Sequence, residues 1–504
     1  MRVLMLGWEF PPHISGGLGT ACYGLSQGLK HHGVDVTFVV PRAHGDEDPE
    51  VARIVGCNSA VFPEIIRRAR ESQTQGYEVE AAAALAGKSS EPLRAALSDV
   101  FGSEALEREG VEDLAKTLRV LAVDSLLSPY LDENSYQAHL REKLESRGLS
   151  LEDLGIDMEE GLQSVIELRQ SLVNIPGLDQ LAVDQIFGSG EALEFSGAYG
   201  PNLFLEVARY AVSVGEIARR EEFDVIHAHD WMTYAAGAVA REVSGKPLLC
   251  HLHASEYDRT GDSPNPRVRE LEQLGFLAAD RIVCVSRFTA SKLRKHYEVD
   301  PSKIRVVHNA VRQREEALPE KPKERDQDAP IVLFLGRITF QKGPDYFLEA
   351  ARRVIDIEPK VKFVMAGSGD MWPEMVERAA RIGLARHIHF TGFLRGPEVD
   401  RMYRMADLYV MPSVSEPFGI SPLEAMAQDV PVIVSKQSGV SEVLTNALKV
   451  DFWDVDDMAD KILGVLRYRS LREVLRREGR AEVKELRWEV PAKLVKDIYE
   501  EMVS

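Results

Sequence analysis

The sequence predicts an α/β protein of two doubly wound domains facing each other across a cleft, with a helical insertion in the first domain. Three observations carry this. Short, continuously apolar runs such as "RVLMLG" (2–7) and "IVLFLG" (331–336) read as strands buried on both faces of a parallel sheet. Helical stretches separate one such run from the next, the alternation of a doubly wound fold. The alternation is interrupted by the charged, proline-bearing "RQREEALPEKPKERDQDAP" (312–330), which has the composition of a linker, and then restarts.

Each element has its own reason. After "RVLMLG" come Gly16, Gly17 and Gly19, then a helix from about Thr20 to His31 with Leu25 and Leu29 on one face. "VDVTFVV" (34–40), "FDVIHAH" (223–229), "PLLCHLH" (247–253), "RIVCVS" (281–286) and "KIRVVHN" (303–309) continue the first sheet. Between 58 and 205 the strand pattern stops, and stretches such as "EDLAKTLRVLAVDSLLS" have helical periodicity and good helix formers. This segment holds 26 acidic and 12 basic residues, so it carries most of the net charge and reads as an acidic helical subdomain. The second sheet is predicted from "IVLFLG", "KFVMAG" (362–367), "IHFTG" (388–392), "LYVMP" (408–412) and "VPVIVS" (430–435).

Composition narrows the function. A formal charge of −19 argues against a nucleic-acid partner. No apolar stretch approaches the roughly 20 residues of a membrane span. The start, "MRVLMLGWEFPP", has too short an apolar core for a signal peptide. Cys22, Cys57, Cys250 and Cys284 form no CxxC pair and read as free thiols of a reducing cytoplasm.

Several motifs offer chemistry, each beside a plainer reading. Gly17-x-Gly19-x-x-Cys22 lacks the last glycine of a dinucleotide fingerprint. A structural turn and a loop whose amides face an anion both remain open. In "FLGRITFQKG" (334–343), Arg337 and Lys342 follow the first strand of domain two, where two cations suit a diphosphate; solvated surface charges are the alternative. "SEPFGISPLEAMAQ" (415–428) places Glu416 and Glu424 on either side of a break with Pro417 and Gly419. Ser421-Pro-Leu-Glu424 is also a capping box, which would make Glu424 a helix-start residue. The pairs in "HAHDW" (227–231) and "CHLH" (250–253) could suggest zinc, but no cysteine partner is evident, so no metal is assigned. The D-x-D of "WDVDD" (453–457) opens an apolar-periodic helix and reads as its cap.

Taken in order, the glycine loop, "HAHDW", "GR…QKG", "AGSG", "TGF", "SEPFGISPLE" and "LRWEV…IY" resemble the retaining GT-B nucleotide-sugar glycosyltransferases of glycosyl transferase group 1, close to bacterial glycogen and starch synthases. The resemblance covers about 1–57 and 206–504. It implies an acceptor-side domain over 1–312 with the insert at 58–205, a nucleotide-sugar domain over 325–487, and a closing helix within 488–504 that crosses back to the first domain. It implies that Gly16, Gly17 and Gly19 lie over the donor phosphates, and that Arg337 and Lys342 hold the diphosphate. Gly419 and Ile420 would offer a helix N-terminus to it, Glu424 would bind the ribose and Glu416 the donor sugar. His253 would lie beside the sugar hydroxyls and Asp230 near the acceptor.

The expected reaction moves a hexose, glucose above all, from ADP- or UDP-glucose to an α-glucan or other carbohydrate acceptor, with no cofactor and no metal. The leaving phosphate would assist deprotonation of the acceptor. A transferase for a lipid, small sugar or cell-surface polysaccharide, and a non-catalytic sugar-binding relative, stand as alternatives. A homo-oligomer is left open. The family's N-G-V-D connection is Asn309-Ala310-Val311-Arg312 here, and the insert exceeds what the family core needs and carries no readable motif.

Overall fold

The computed structural model of the chain describes residues 1–12, 17–44, 46–57, 203–312 and 329–504. Gly16, nearly all of the acidic insert and most of the 312–330 stretch lie outside the described residues.

Strands β1 (Arg2–Leu6), β2 (Asp35–Val40), β3 (Arg53–Gly56), β4 (Val225–His229), β5 (Leu248–Leu252), β6 (Arg281–Cys284) and β7 (Ile304–Val306) form one sheet in the order β3-β2-β1-β4-β5-β6-β7. Every pairing in it is parallel; Val3, for example, is opposite Val36 on one side and Val225 on the other. β8 (Ile331–Leu335), β9 (Lys362–Ala366), β10 (Ile388–Gly392), β11 (Leu408–Met411), β12 (Val432–Ser435) and β13 (Leu448–Val450) form a second all-parallel sheet, ordered β10-β9-β8-β11-β12-β13. Each order reverses beside its first strand, the switch point at which open α/β sheets bind ligands beyond their carboxyl edge. The continuous apolar runs are explained by burial: β4 and β5 are buried at every position.

The structure differs from the sequence reading in three places. β3 and β13 are additional short edge strands. The first helix begins at Gly17 rather than near Thr20, so Gly17 and Gly19 belong to its first turn and not to a loop. A helix over Leu203–Arg220, which begins at the end of the expected insert, buries Val207, Tyr210, Ala211 and Val214 against the first sheet, and no motif announces it.

The helix Glu489–Val503 lies on the first half of the molecule. Trp488, Ala492, Val495, Ile498 and Tyr499 join the cluster built from β1, β2 and the helix Gly17–His31. Two glycines make room for it. A Cβ on Gly24 would lie 2.3 Å from the Trp488 indole, and one on Gly28 would lie 2.5 Å from the Trp488 carbonyl. The two halves also meet directly: Ser286 Oγ donates to the Pro417 carbonyl at 2.6 Å, and the Val311 amide donates to the Leu486 carbonyl at 3.1 Å.

Candidate active site at the carboxyl edges of the two sheets

At the end of β4 the chain turns sharply at Asp230, which has φ +59° and is buried. With ψ 170° this lies outside the left-handed helical basin, in a region that residues with a Cβ rarely adopt. The turn aims its carboxylate across to the end of β5. Oδ1 accepts the His253 amide at 2.7 Å and the Ala254 amide at 3.3 Å, while Oδ2 pairs with Arg259 at 3.4 Å. Asp230 therefore fixes the loop that carries His253. The His253 ring meets His229 Nδ1 through Nε2 at 2.9 Å, and its pKa is lowered by burial against an opposing pull from Asp230.

In the second half, the loop after β8 is laid against the loop after β11. Gly343, at φ +64°, is so close that a Cβ there would lie 2.2 Å from the Pro412 carbonyl. Val414 donates its amide to Gln341 at 3.0 Å. This contact brings Lys342 Nζ within 2.5 Å of Glu416 Oε2. Glu416 is buried, and Ser413 Oγ donates to the same carboxylate oxygen at 3.4 Å. Arg337 lies on the same loop but is exposed, with no bonding partner among the described residues.

Gly419, at φ +99°, turns the chain into the helix Ser421–Ala427, and Ile420 flanks its start. Ile420 packs against the apolar clusters of both halves. The capping box read from Ser421 and Glu424 does not form as such. Ser421 is already the first helical residue, no side chain caps the helix, and Glu424 Oε2 accepts the Tyr403 hydroxyl at 3.0 Å. The D-x-D does act as a cap, with Asp454 accepting the Asp457 amide at 3.0 Å.

The glycine helix carries a second surprise. Glu9 is buried and accepts the Gly19 amide at 3.2 Å, so a carboxylate of the chain itself already stands at that helix N-terminus. Gly17 differs: a Cβ there would meet nothing within 4 Å, so the packing of the described residues does not require a glycine.

Sequence reasoning missed the groups that join the halves. Asp258 Oδ1 accepts the Ser415 hydroxyl at 2.6 Å and pairs with Lys292 at 2.9 Å. Lys292 holds the Asp258 carboxyl below its ordinary range against the upward push of burial, the largest effect on it. Glu442 accepts the amides of Arg287 and Phe288 at 3.0 and 2.7 Å and pairs with His308 at 2.8 Å. No local spacing signals such contacts, since Asp258 and Ser415 are 157 residues apart.

With this geometry in place, known families can be compared. The family model "Glycosyl transferases group 1" matches residues 316–482, "Glycosyltransferase Family 4" matches 189–315, and "Starch synthase catalytic domain" matches 2–80. By these matches the chain is a glycosyltransferase, similar over residues 316–482 to the group 1 enzymes. An uncharacterized glycosyltransferase of Methanocaldococcus jannaschii is 29% identical to this transferase over 295 residues, covering 55% of this chain and 75% of the relative. A D-inositol 3-phosphate glycosyltransferase of Nocardioides sp. is 26% identical over 431 residues, covering 78% and 92%. Among solved structures, the sucrose-phosphate synthase of Thermosynechococcus elongatus superposes with a TM-score of 0.57 at 16% identity, covering 99% of the transferase and 98% of that chain. The Anabaena protein HepE, in complex with UDP and glucose, superposes at 0.51 and 18% identity, covering 60% and 84%. At these identities the superpositions show the fold: two Rossmann-like halves of the GT-B type.

Proposed function

We propose that this transferase moves glucose, with retention of anomeric configuration, from a nucleoside diphosphate glucose to a carbohydrate hydroxyl. The observation that carries the reading is the pairing of Lys342 with buried Glu416, beside an exposed Arg337 that has no bonding partner among the described residues, at the carboxyl edge of the second sheet. In this reading Arg337 and Lys342 take the growing charge of the leaving diphosphate, which is the main electrostatic task of such a site. A diphosphate drawing Lys342 toward it releases Glu416 to accept hydrogen bonds from the donor sugar. The first turn of the helix Ser421–Ala427 adds its backbone amides, and Glu424, held by Tyr403, takes the ribose hydroxyls. Gly17 supports close approach from the first half, because its missing side chain is otherwise unexplained. The Gly19 amide is taken by Glu9, so the diphosphate contacts are assigned to the second half.

His253, positioned by Asp230, faces the reacting sugar. Asp230 acts through that loop rather than on the acceptor directly, because its carboxylate is buried and engaged. The cations Arg337 and Lys342 do the work a divalent ion would otherwise do, so transfer proceeds without a cofactor. The acceptor is proposed to be an α-glucan, on the resemblance of the opening segment to starch synthases. A small phosphorylated sugar is the second reading, favoured by the names of the D-inositol 3-phosphate glycosyltransferase relatives.

The test is direct. The protein is incubated with ADP- or UDP-glucose and either maltooligosaccharides or inositol phosphate, with and without EDTA, and new linkages are followed by proton NMR. An α-linked product that survives EDTA is expected. A β-linked product, or activity abolished by EDTA, refutes the mechanism; transfer to inositol phosphate alone selects the second acceptor.

A further inference from the structure

Four histidines crowd the carboxyl ends of β4 and β5. His227 and His229 are two apart on β4 and share a face; His251 and His253 do so at β5 and just beyond it. The rings stack, His251 on His253 with centroids 4.4 Å apart and 18° between planes. His227 Nδ1 meets the Tyr499 hydroxyl at 2.5 Å, and its Nε2 meets His251 Nδ1 at 3.2 Å. His229 Nδ1 meets His253 Nε2 at 2.9 Å. This leaves Nε2 of His229 and Nε2 of His251 buried without a partner among the described residues. Buried polar atoms are almost always satisfied, and one left unpaired is destabilising.

The helix Gly17–His31 brings the missing cysteine. One donor atom from each of Cys22, His229 and His253 lies within 4.8 Å of the others. Cys22 and His229 are fully buried, while His253 is partly exposed. Burial keeps both imidazoles neutral, which is the form that binds metals, and holds Cys22 as a thiol when no ion is present.

We infer that Cys22, His229 and His253 form a site for a thiophilic divalent cation, Zn²⁺ foremost, and that its occupancy withdraws His253 from the cleft. One sulfur and two imidazole nitrogens form a borderline-soft donor set that prefers Zn²⁺ or Co²⁺ to Mg²⁺ or Ca²⁺. On binding, the ion accepts a lone pair from each donor and the Cys22 thiol gives its proton to solvent. The His229–His253 hydrogen bond opens, and each ring keeps its proton on the nitrogen that does not bind the ion. A water completes a tetrahedral shell, and no atom changes oxidation state. The site rests on the geometry of these three residues and stands whichever donor or acceptor the transferase uses.

The experiment titrates Co²⁺ into the full chain with a phosphine reductant. A thiolate-to-cobalt charge-transfer band is expected to saturate near one equivalent, to be displaced by Zn²⁺, and to be absent in Cys22→Ser and in His229→Gln. It is expected to persist when Cys57, Cys250 and Cys284 are all serine. Circular dichroism confirms folding, with Cys22→Ala as the second variant. No band in the wild-type protein, or a band that survives in both folded Cys22 variants, overturns the site. Zn²⁺ is further expected to inhibit sugar transfer reversibly, at least tenfold more weakly in Cys22→Ser, with Mg²⁺ without effect. Equal inhibition of both proteins overturns the control of His253.

Discussion

Replacing Trp488 by alanine tests how the closing helix is held. The Trp488 ring is buried against the helix Gly17–His31, in the space that a Cβ on Gly24 would otherwise occupy. Removing a buried Trp costs about 3–5 kcal/mol. Gly24→Ala alone also destabilises, because its methyl would lie 2.3 Å from two indole atoms, far inside contact distance. In the double variant that clash is gone. Alanine is then the better helix former by about 1 kcal/mol, so Gly24→Ala changes from harmful to helpful. The expected interaction energy is large and favourable, as for residues in direct contact. Urea unfolding of the four proteins measures it, and nucleotide titration shows whether the first helix has shifted. Additive effects, with Gly24→Ala equally harmful in both backgrounds, refute the packing argument.

Other outcomes follow from the same structure. Glu272 is fully buried, and burial raises its carboxyl from 4.5 to about 7, with Arg259 opposing. Because the folded state holds this proton more tightly than the unfolded chain, stability falls as pH rises from 4.5 to about 7, by about 3 kcal/mol. Glu272→Gln should flatten that part of the melting-temperature profile; parallel profiles contradict it. Glu424→Gln leaves the helix intact, since Ile420 and not Ser421 stands at the N-cap, but weakens nucleoside diphosphate binding by about 1.5–3 kcal/mol in calorimetry if it holds the ribose. Glu442→Ala frees the Arg287 and Phe288 amides and the His308 ring, costing about 0.5–2 kcal/mol, and should raise proteolytic cleavage between the halves. Arg337→Ala and Lys342→Ala are each expected to lower kcat/KM roughly a hundredfold; exposed Arg337 can be lost without changing the melting temperature, whereas Lys342→Ala lowers it by leaving the buried Glu416 carboxylate without its cation, and near-normal rates in both dismiss the diphosphate clamp.

The central strands were legible because burial on both faces leaves only apolar residues, as in β4 and β8. The edge strands β3 and β13 were not, since runs of four and three residues that are mostly partly exposed look like loop. Glycine content misplaced the start of the first helix. Its Gly24 and Gly28 are required by Trp488, and its first turn is bonded by Glu9, both tertiary facts without a local signal. In the site, the strand-end positions of Asp230, His253, Arg337 and Glu416 could be read from the alternation alone. Their partners could not. Tyr403, Asp258, Lys292, Glu442 and Cys22 come from distant segments, and only the fold brings them together.

The position of the helix Glu489–Val503 orders the birth of the protein in time. The first sheet's strands are complete once residue 306 has been made, yet among the described residues part of the apolar surface of β1, β2 and the first helix is covered by residues 488–499. At the usual synthesis rate of about 5–20 residues per second, that surface waits roughly 10–40 seconds for its cover. During that interval the nascent half presents Leu25, Leu29 and the groove of Gly24 and Gly28 to its surroundings. The second half is synthesised before the first is finished, and a ribosome stalled after residue 485 would leave a chain that has the strands of both sheets but remains a target for chaperones.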